Sequence, residues 1–487
     1  MLDGFGRAAR AACRYAAPRD AGELVDLLAR ARREGVPVTL RGAGRSYGDA
    51  ALGAGGLVVD TSRLDALKSW DPTTGVLDAE AGMTIEGVWR RTIEDGYWPH
   101  VVPGTMRPTL AGCLSMNVHG KNNAKAGPFG EHVLDFDLVT PARGLLRCSR
   151  DENRDLFHAA IGGLGLLGAI TRVRLSLKRV ESGRLCVTAV AARDLEATFD
   201  AFEEELERSD YTVGWIDGLA RGRSLGRGVL HAARYLGAGE DPERARSLHV
   251  ESQVLPPRAL LLPRSALYRF MRPVMNDPGV RAINALKWAA SRARGRHTYL
   301  QSHVAFAFLL DYVPNWRLAY GREGFIQFQV FVPHAAAREA IAGVLGATHR
   351  HALPTYLAVL KRHRPDGFLL SHGLDGWSLA MDLRVHAAER ERLRALTDEL
   401  AARVLDAGGT FYLAKDAVLR PTDLARAYGP ERLAAFADLR ARVDPDGSLT
   451  SDLARRLDLA SPRQREDEAA GGGFTPLAAS GPPERTT

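Results

Sequence analysis

The run Arg41-Gly42-Ala43-Gly44-Arg45-Ser46-Tyr47-Gly48-Asp49 directly follows the apolar stretch Val36-Pro37-Val38-Thr39-Leu40, which reads as a short strand. A strand feeding such a loop is suited to phosphate, because glycines let backbone N–H groups converge on an anion without obstruction by Cβ atoms. Arg41, Arg45 and Ser46 add positive charge and donors. An ordinary strand-to-strand turn is the rival reading, and a lone set of spaced glycines does not separate the two by itself. A Rossmann dinucleotide loop must open a helix, however. Here Ala51 to Gly56 is another glycine-rich turn, leading to the second strand Leu57-Val58-Val59-Asp60. The loop is therefore read as a phosphate loop of a non-Rossmann kind.

A chain of 487 residues with 45% hydrophobic content calls for two or three domains. Lys and Arg number 65 against 58 Asp and Glu, a net charge of +7. A pyrophosphate cofactor, an anionic substrate or a membrane surface can each exploit that excess. Nucleic acid is not expected, for want of a recognition helix, a zinc finger or a basic tract with interleaved aromatics. Cys13, Cys113, Cys148 and Cys186 lie far apart. They make neither a disulfide framework nor metal-ligand spacing, so a cytoplasmic protein with reduced thiols and no metal is expected. Arg7, Arg10 and Arg14 enclose no apolar run of the ~7–15 residues a signal peptide needs, and no segment reaches the ~20 apolar residues of a membrane span.

Leu24, Leu27, Leu28 and Ala31 fall on one face of a helix predicted over 20–34, with Asp20 as its cap and Gly35 as its stop. Further glycine loops follow at Pro103-Gly104-Thr105, at His119-Gly120-Lys121-Asn122-Asn123, and over 162–168. The alternation of Ala169 to Leu177 predicts a half-buried strand. Several glycine loops between short strands suggest a scaffold around a long polar cofactor. After about residue 181 helical periodicity returns in Asp194 to Arg208, and an aromatic strand runs from Phe325 to Val332. A helix from Ala387 to Leu405 and a strand from Thr410 to Ala414 complete the pattern, and the polar, Gly-rich and Pro-rich end from Pro462 reads as a disordered tail.

These motifs together resemble FAD-dependent oxidoreductases of the vanillyl-alcohol oxidase type, most closely the branch that oxidises a polyprenylphosphoryl ribose. The likeness runs over roughly residues 15 to 460 and rests on G-x-G-R-S-Y-G-D at 42–49, P-G-T at 103–105, H-G-K-N at 119–122 and G-x-G-L-x-G at 163–168. Weaker matches follow in order at Trp215-Ile216-Asp217, Ala319-Tyr320-Gly321, 324–329, Gly376-Trp377, Ala414-Lys415-Asp416 and 451–457. The resemblance implies an α+β fold in which a two-lobed FAD-binding domain carries an inserted substrate, or cap, domain built on an antiparallel sheet. The corresponding segments are 1–181 for the FAD-binding domain, 182–406 for the cap and 407–460 for a segment returning to the FAD domain, with 461–487 as the tail. By the same resemblance Arg41, Gly42, Ala43, Gly44, Arg45, Ser46, Tyr47, Gly48, Asp49, Gly104, Thr105, Thr109, Gly112, His119, Gly120, Asn122, Ile170 and Tyr412 line the flavin. The substrate face holds Tyr47, Lys121, Gln327, Gln329, Lys361, Ser378 and Lys415.

Many such relatives link a histidine covalently to the flavin where this chain has Arg45, whose guanidinium is not a usable nucleophile, so noncovalent FAD is expected. Oxidising an alcohol by hydride transfer to flavin N5 leaves negative charge near N1 and C2=O, where a fixed cation is stabilising. Lys415 is the candidate cation. The substrate hydroxyl must also lose a proton, for which Tyr47, His119 and Lys415 all qualify. Gln327 and Gln329, two apart, share one face of their strand and suit a polyhydroxyl sugar unless that face meets solvent. Lys121 and Lys361 suit a substrate phosphate. The ribose-oxidising pattern has a cysteine at Ala380, an asparagine at Ser378 and a Tyr-His pair at Ala307-Phe308, which leaves the substrate open. The implied activity is oxidation of a sugar secondary alcohol to a ketone, the 2'-hydroxyl of a polyprenylphosphoryl ribose, with an NAD(P)H-dependent reductase partner completing epimerisation to arabinose. Oxidation of a free alditol, an aldonolactone or a secondary-metabolite alcohol is the alternative, and a non-catalytic flavin-binding protein is the third reading. Residues 255–296 hold nine basic side chains against the single acid Asp277, with Leu260, Leu261, Leu262, Tyr268, Phe270, Met271 and Trp288 interleaved. That suits peripheral contact with the inner face of a cell membrane as well as it suits a helical subdomain with a solvated face.

Overall fold

Buried and half-exposed positions alternate along Ala169–Arg179, and this eleven-residue strand is the spine of the first sheet in the computed structural model, which describes residues 1–259 and 262–459. It pairs antiparallel with Val133–Thr140 on one side and Val76–Glu80 on the other, and Gly144–Ser149, Leu67–Asp71 and Tyr97–Pro99 complete six strands. Beside it a small parallel sheet joins Arg14–Ala16, Leu57–Asp60 and Val38–Arg41. Helix Ala21–Arg33 covers that sheet with Leu24, Leu28 and Ala31, and Asp20 caps it by accepting from the Glu23 N–H at 2.8 Å. The glycine loop thus leaves the C-terminal end of Val38–Arg41 and returns, without a helix, to the start of a parallel neighbour.

The second layer is an eight-stranded antiparallel sheet in the order His297–Ser302, Arg184–Ala192, Gly228–Tyr235, Tyr211–Ile216, Leu357–His363, Gly376–Arg384, Phe325–Pro333, Thr410–Phe411. Helices Leu195–Leu206, Ala337–Arg350 and Arg390–Asp406 pack against it. Its central strands are buried almost throughout, so the two glutamines do not face solvent. The α+β architecture with an antiparallel second domain agrees with the resemblance. The strand expected over 410–414 is a correction: pairing stops at Phe411, because the chain turns there, with the Lys415 N–H donating to Tyr412 O at 3.0 Å. Past that turn the chain returns to the glycine loop. Val38 N–H donates to Ser448 O and Thr450 N–H to Val38 O, and the short helix Asp452–Arg456 sits under Leu52 and Ala54. The expected disordered tail, 461–487, lies outside the described residues. Among the described residues no helix is long and apolar enough to cross a membrane.

Candidate active site

Antiparallel partners and every second residue share a face. The pairings Gln327 with Asp382, Gln329 with Ala380, Lys361 with Ser378, Val359 with Trp215 and Val213 with His231 therefore put all of these side chains on one side of the cap sheet. Across from that face stand the glycine loops, and between the two lies a cavity of about 580 Å³. Its cofactor end is lined by residues 41–47 with Gly104, Thr105, Thr109, Gly112 and Ile170.

The donor set fits an anionic dinucleotide. Arg45 lies against Phe5, 5.4 Å from its ring centre, and its Nε is buried without a hydrogen-bond partner. Burial first, then Arg317, Arg107 and Arg41, push its guanidinium below its ordinary range, although Asp311 opposes them. A group of like charges of this kind is relieved by an anion. Gly42 faces Thr109 so closely that a Cβ there would come 2.3 Å from Thr109 Oγ1, and the loop backbone can approach a ligand only because it carries none. Arg41 has a different duty, since its guanidinium donates to Ala51 O at 3.0 Å and Asp3 O at 3.3 Å and braces the loop. FAD would rest on this wall, with Arg45 and the backbone of 42–46 toward its phosphates and Tyr412 and Lys415 further along. Arg45 offers no nucleophile, so a flavin at this position is held without a covalent bond.

Four of the expected cofactor residues do not line the cavity. Gly48 meets the chain instead of a ligand: a Cβ there would be 1.8 Å from Asp416 O. Asp49 takes both oxygens to Arg456, each at 2.8 Å. Asn122 donates to His100 O at 2.7 Å, and Gly120 is packed against Asn122 Oδ1. These four hold the loops in shape from behind the cavity wall.

At the cap end Lys415, Tyr47, Gln327, Lys361 and His119 come together at the cavity wall, which Lys121 lines as well, near Lys361. Lys415 Nζ lies 5.6 Å from the Tyr47 ring centre, and burial lowers this lysine to about 8, partly offset by Asp382. Tyr47 packs on Phe5 and Phe325, and burial with the nearby Asp382 pushes its phenol well above the usual range, so it is a hydrogen-bond donor and not a base. His119 is driven well below its ordinary range by burial and by Lys361, and Gln329 Nε2 approaches its Nε2 at 3.0 Å. A neutral, packed imidazole of this kind is a weak proton acceptor. Gln329 and Ser378 do not reach the cavity. They form a polar layer behind His119, in which Gln329 Nε2 is 3.1 Å from Ser378 Oγ and Ser378 Oγ is 2.7 Å from His363 Nε2.

Two groups escaped the sequence reading. Asp382, fully buried, accepts from Gln327 Nε2 and from Tyr320 OH at 3.3 Å, and burial raises its carboxyl to about 7. His363 and His372 pack around His119 at ring separations of 4.9 and 5.4 Å. The two-residue spacing from Ala380 and the cross-strand position opposite Gln327 are the signals that could have pointed to Asp382.

Residues 13–149 match the family described as FAD binding domain. Over 464 residues the chain is 31% identical to decaprenylphosphoryl-β-D-ribose oxidase of Mycolicibacterium smegmatis, a match covering 94% of this chain and 97% of the relative. It belongs to the decaprenylphosphoryl-β-D-ribose oxidase family. The chain is accordingly an FAD-dependent oxidoreductase. A Streptomyces coelicolor protein from the mprA 5' region is 32% identical over 382 residues, 75% of this chain and 96% of the relative. Cytokinin dehydrogenase 7 of Oryza sativa subsp. japonica is 34% identical over 226 residues, but only 42% of this chain and 43% of the relative take part.

For a member of the decaprenylphosphoryl-β-D-ribose oxidase family, the departures noted in the sequence fall at telling places. Ala380 lines the cavity between Gln329 and Val359, where loss of a larger side chain widens the pocket. Ala307 also lines it, whereas Phe308 is turned into the core against Trp98. Ser378 sits in the histidine layer.

Proposed function

We propose that this oxidoreductase converts a secondary hydroxyl of a phosphoryl-linked pentose to a ketone, with the 2'-hydroxyl of a polyprenylphosphoryl ribose as the preferred substrate. The observation that carries this reading is the row of Lys415, Lys361 and Lys121 along a cavity that also presents the amide of Gln327, the phenol of Tyr47 and the imidazole of His119. Amide and phenol suit sugar hydroxyls, and ammonium groups suit a phosphoryl ester. Bound FAD supplies the two-electron acceptor. Lys415 offers fixed positive charge where the electron pair arrives, and Tyr47 and Gln327 orient the hydroxyl. In this role Lys415 acts in its charged form and does not accept the hydroxyl proton, which leaves to water. A nicotinamide-dependent reductase acting on the ketone would complete a 2'-epimerisation. An anaerobic screen of prenylphosphoryl pentoses, free alditols and aldonolactones is expected to show flavin bleaching with the phosphoryl pentoses first. Bleaching by free alditols or lactones alone would replace this reading with an oxidase of water-soluble alcohols, and bleaching by none would remove the phosphoryl pentose as substrate.

Such a substrate is met at a bilayer. Within the basic segment Arg269, Arg272 and Arg281 are exposed, as are Phe270, Ile283 and Leu286, the last at 71%. Met271 of the same segment lines the cavity. Arg264 is not part of that face: it is buried, with Nε donating to Tyr312 O at 2.6 Å and a terminal nitrogen to Pro256 O at 2.9 Å. Leu260 and Leu261 lie outside the described residues. Each basic residue near anionic lipid contributes ~1 kcal/mol, so three give reversible binding that salt weakens. The protein is expected to sediment with anionic but not neutral vesicles at low salt, and Arg269→Glu, Arg272→Glu and Arg281→Glu together are expected to erase the difference. Equal, negligible sedimentation with both would place the substrate in water.

A further inference from the structure

Beyond Lys361, the cavity continues to a second group of nitrogen side chains, in which Lys121 is joined by His231 and Lys287, two residues that the proposed chemistry does not use. His231 of Gly228–Tyr235 pairs with Val213 of Tyr211–Ile216, and both line the wall. Trp215 shares that face and forms the floor beside them. Over it hangs Lys287, whose Nζ is 4.0 Å from the indole centre. This lysine comes from the helix Asp277–Arg294, which is pinned to the cap by Trp288 Nε1 on Ala192 O and Asn284 Nδ2 on Asp217 Oδ1, each at 2.8 Å. Lys121 enters from the opposite side, on the loop after His119, with its carbonyl held by the Thr212 N–H at 2.9 Å and its Nζ on Phe306 O.

Three separate elements therefore bring three nitrogen groups to one stretch of the cavity, and the two lysines oppose a charge on His231. Burial first, and then Lys287, Lys121 and His297, lower His231 to about 4. Burial alone lowers Lys121 to about 7 and Lys287 to about 8. Buried ammonium groups without a carboxylate among them are unfavourable until an anion arrives, and ammonium groups with a neutral imidazole N–H match the several acceptor oxygens of a phosphoryl group. The position is also separate from the reacting centre. The strand of His231 lies two steps along the sheet from that of Lys361 and four from that of Gln327, or ~10 and ~19 Å at the usual strand spacing.

We propose that Lys121, His231 and Lys287, converging over Trp215, seat a phosphoryl group of the substrate at the end of the cavity remote from Lys415. This deepens the reading given above and rests on it for the identity of the sugar. The seat holds the phosphoryl group as a charge anchor, and Lys361 lies between anchor and reacting hydroxyl.

The test is binding, not turnover. The full-length, FAD-loaded protein is titrated with farnesyl monophosphate, farnesyl diphosphate, inorganic phosphate and farnesol, read by perturbation of the flavin spectrum and by calorimetry. The farnesyl phosphates are expected to bind at least tenfold more tightly than farnesol. Lys287→Met and His231→Phe are each expected to raise their Kd about tenfold, the scale of one lost charge-assisted contact, with flavin content unchanged. Much of the Lys287 side chain is exposed along the helix although its Nζ is covered over Trp215, so its variant carries the test if His231→Phe fails to fold. Equal binding of phosphates and farnesol, unchanged Kd in the variants, or binding of inorganic phosphate without the esters would each overturn the seat. If the esters bind here and no phosphoryl pentose bleaches the flavin, the seat stands and the proposed substrate falls.

Discussion

Lys415→Met is expected to retain FAD yet slow anaerobic flavin reduction by ~10²-fold or more, the scale of losing one preorganised electrostatic donor. The turn that carries Lys415 leaves it little freedom. Its own N–H is bound to Tyr412 O, and the preceding carbonyl, Ala414 O, accepts from the Tyr47 N–H, each at 3.0 Å. The ammonium is thereby held at the cavity wall beside the Tyr47 and Tyr412 rings, and methionine keeps the length while removing the charge. The same residue sets a pH limb. With Lys415 lowered to about 8 by burial, its charge is present below that pH and lost above it, so the wild-type reduction rate should fall as pH rises through about 8. The methionine variant should be slow throughout and lack that limb. Stopped-flow reduction across pH 6 to 10 measures both effects, and unchanged kinetics in the variant would assign Lys415 a structural role.

Local chemistry made much of this legible. The helix start at Asp20, the strand Ala169–Arg179 and the helix Leu195–Leu206 follow from capping and periodicity, which act over a few residues. The glycine loop was legible because its purpose is written in its own backbone. What sequence did not disclose depends on partners far along the chain. Gly48 and Asp49 belong to the loop motif, yet they serve Asp416 and Arg456 some 370 to 410 positions away. Asp382 looks like any strand acid until the cross-strand register sets it against Gln327 and buries it. His231 and Lys287 carry no motif at all, and their convergence exists only once helix Asp277–Arg294 docks on the cap. Arg264 shows the converse: composition groups it with a basic surface, and tertiary hydrogen bonds take it out of that surface.

Arg456 is where the two ends of the cofactor lobe are locked together, and removing it is expected to have the largest effect on stability. Its guanidinium makes two 2.8 Å contacts to Asp49, a 2.8 Å contact to Asp416 and a 2.7 Å bond to Leu419 O. The side chains are nearly inaccessible, at 11% for Arg456 and 2% for Asp416. Asp49 ends the glycine loop and Asp416 follows Lys415, so one cation fixes the phosphate loop, the turn carrying Lys415 and the C-terminal helix relative to one another. Arg456→Met would leave two carboxylates facing each other with little water to solvate them. Breaking a buried pair by removing one partner costs ~3–5 kcal/mol, a large part of the ~5–15 kcal/mol that holds a typical domain folded. The expected result is a strongly lowered melting temperature together with loss of FAD on gel filtration. Arg456→Lys should recover only part of both, because a point charge cannot reproduce the planar fork that serves Asp49 and Asp416 at once. Adding FAD in excess should raise the melting temperature of Arg456→Met, since a ligand that binds only the folded chain stabilises it by mass action. An unchanged melting temperature and full flavin content in Arg456→Met would show that the C-terminal helix is held by its apolar contacts, Leu453 and Leu457, without help from the ion cluster.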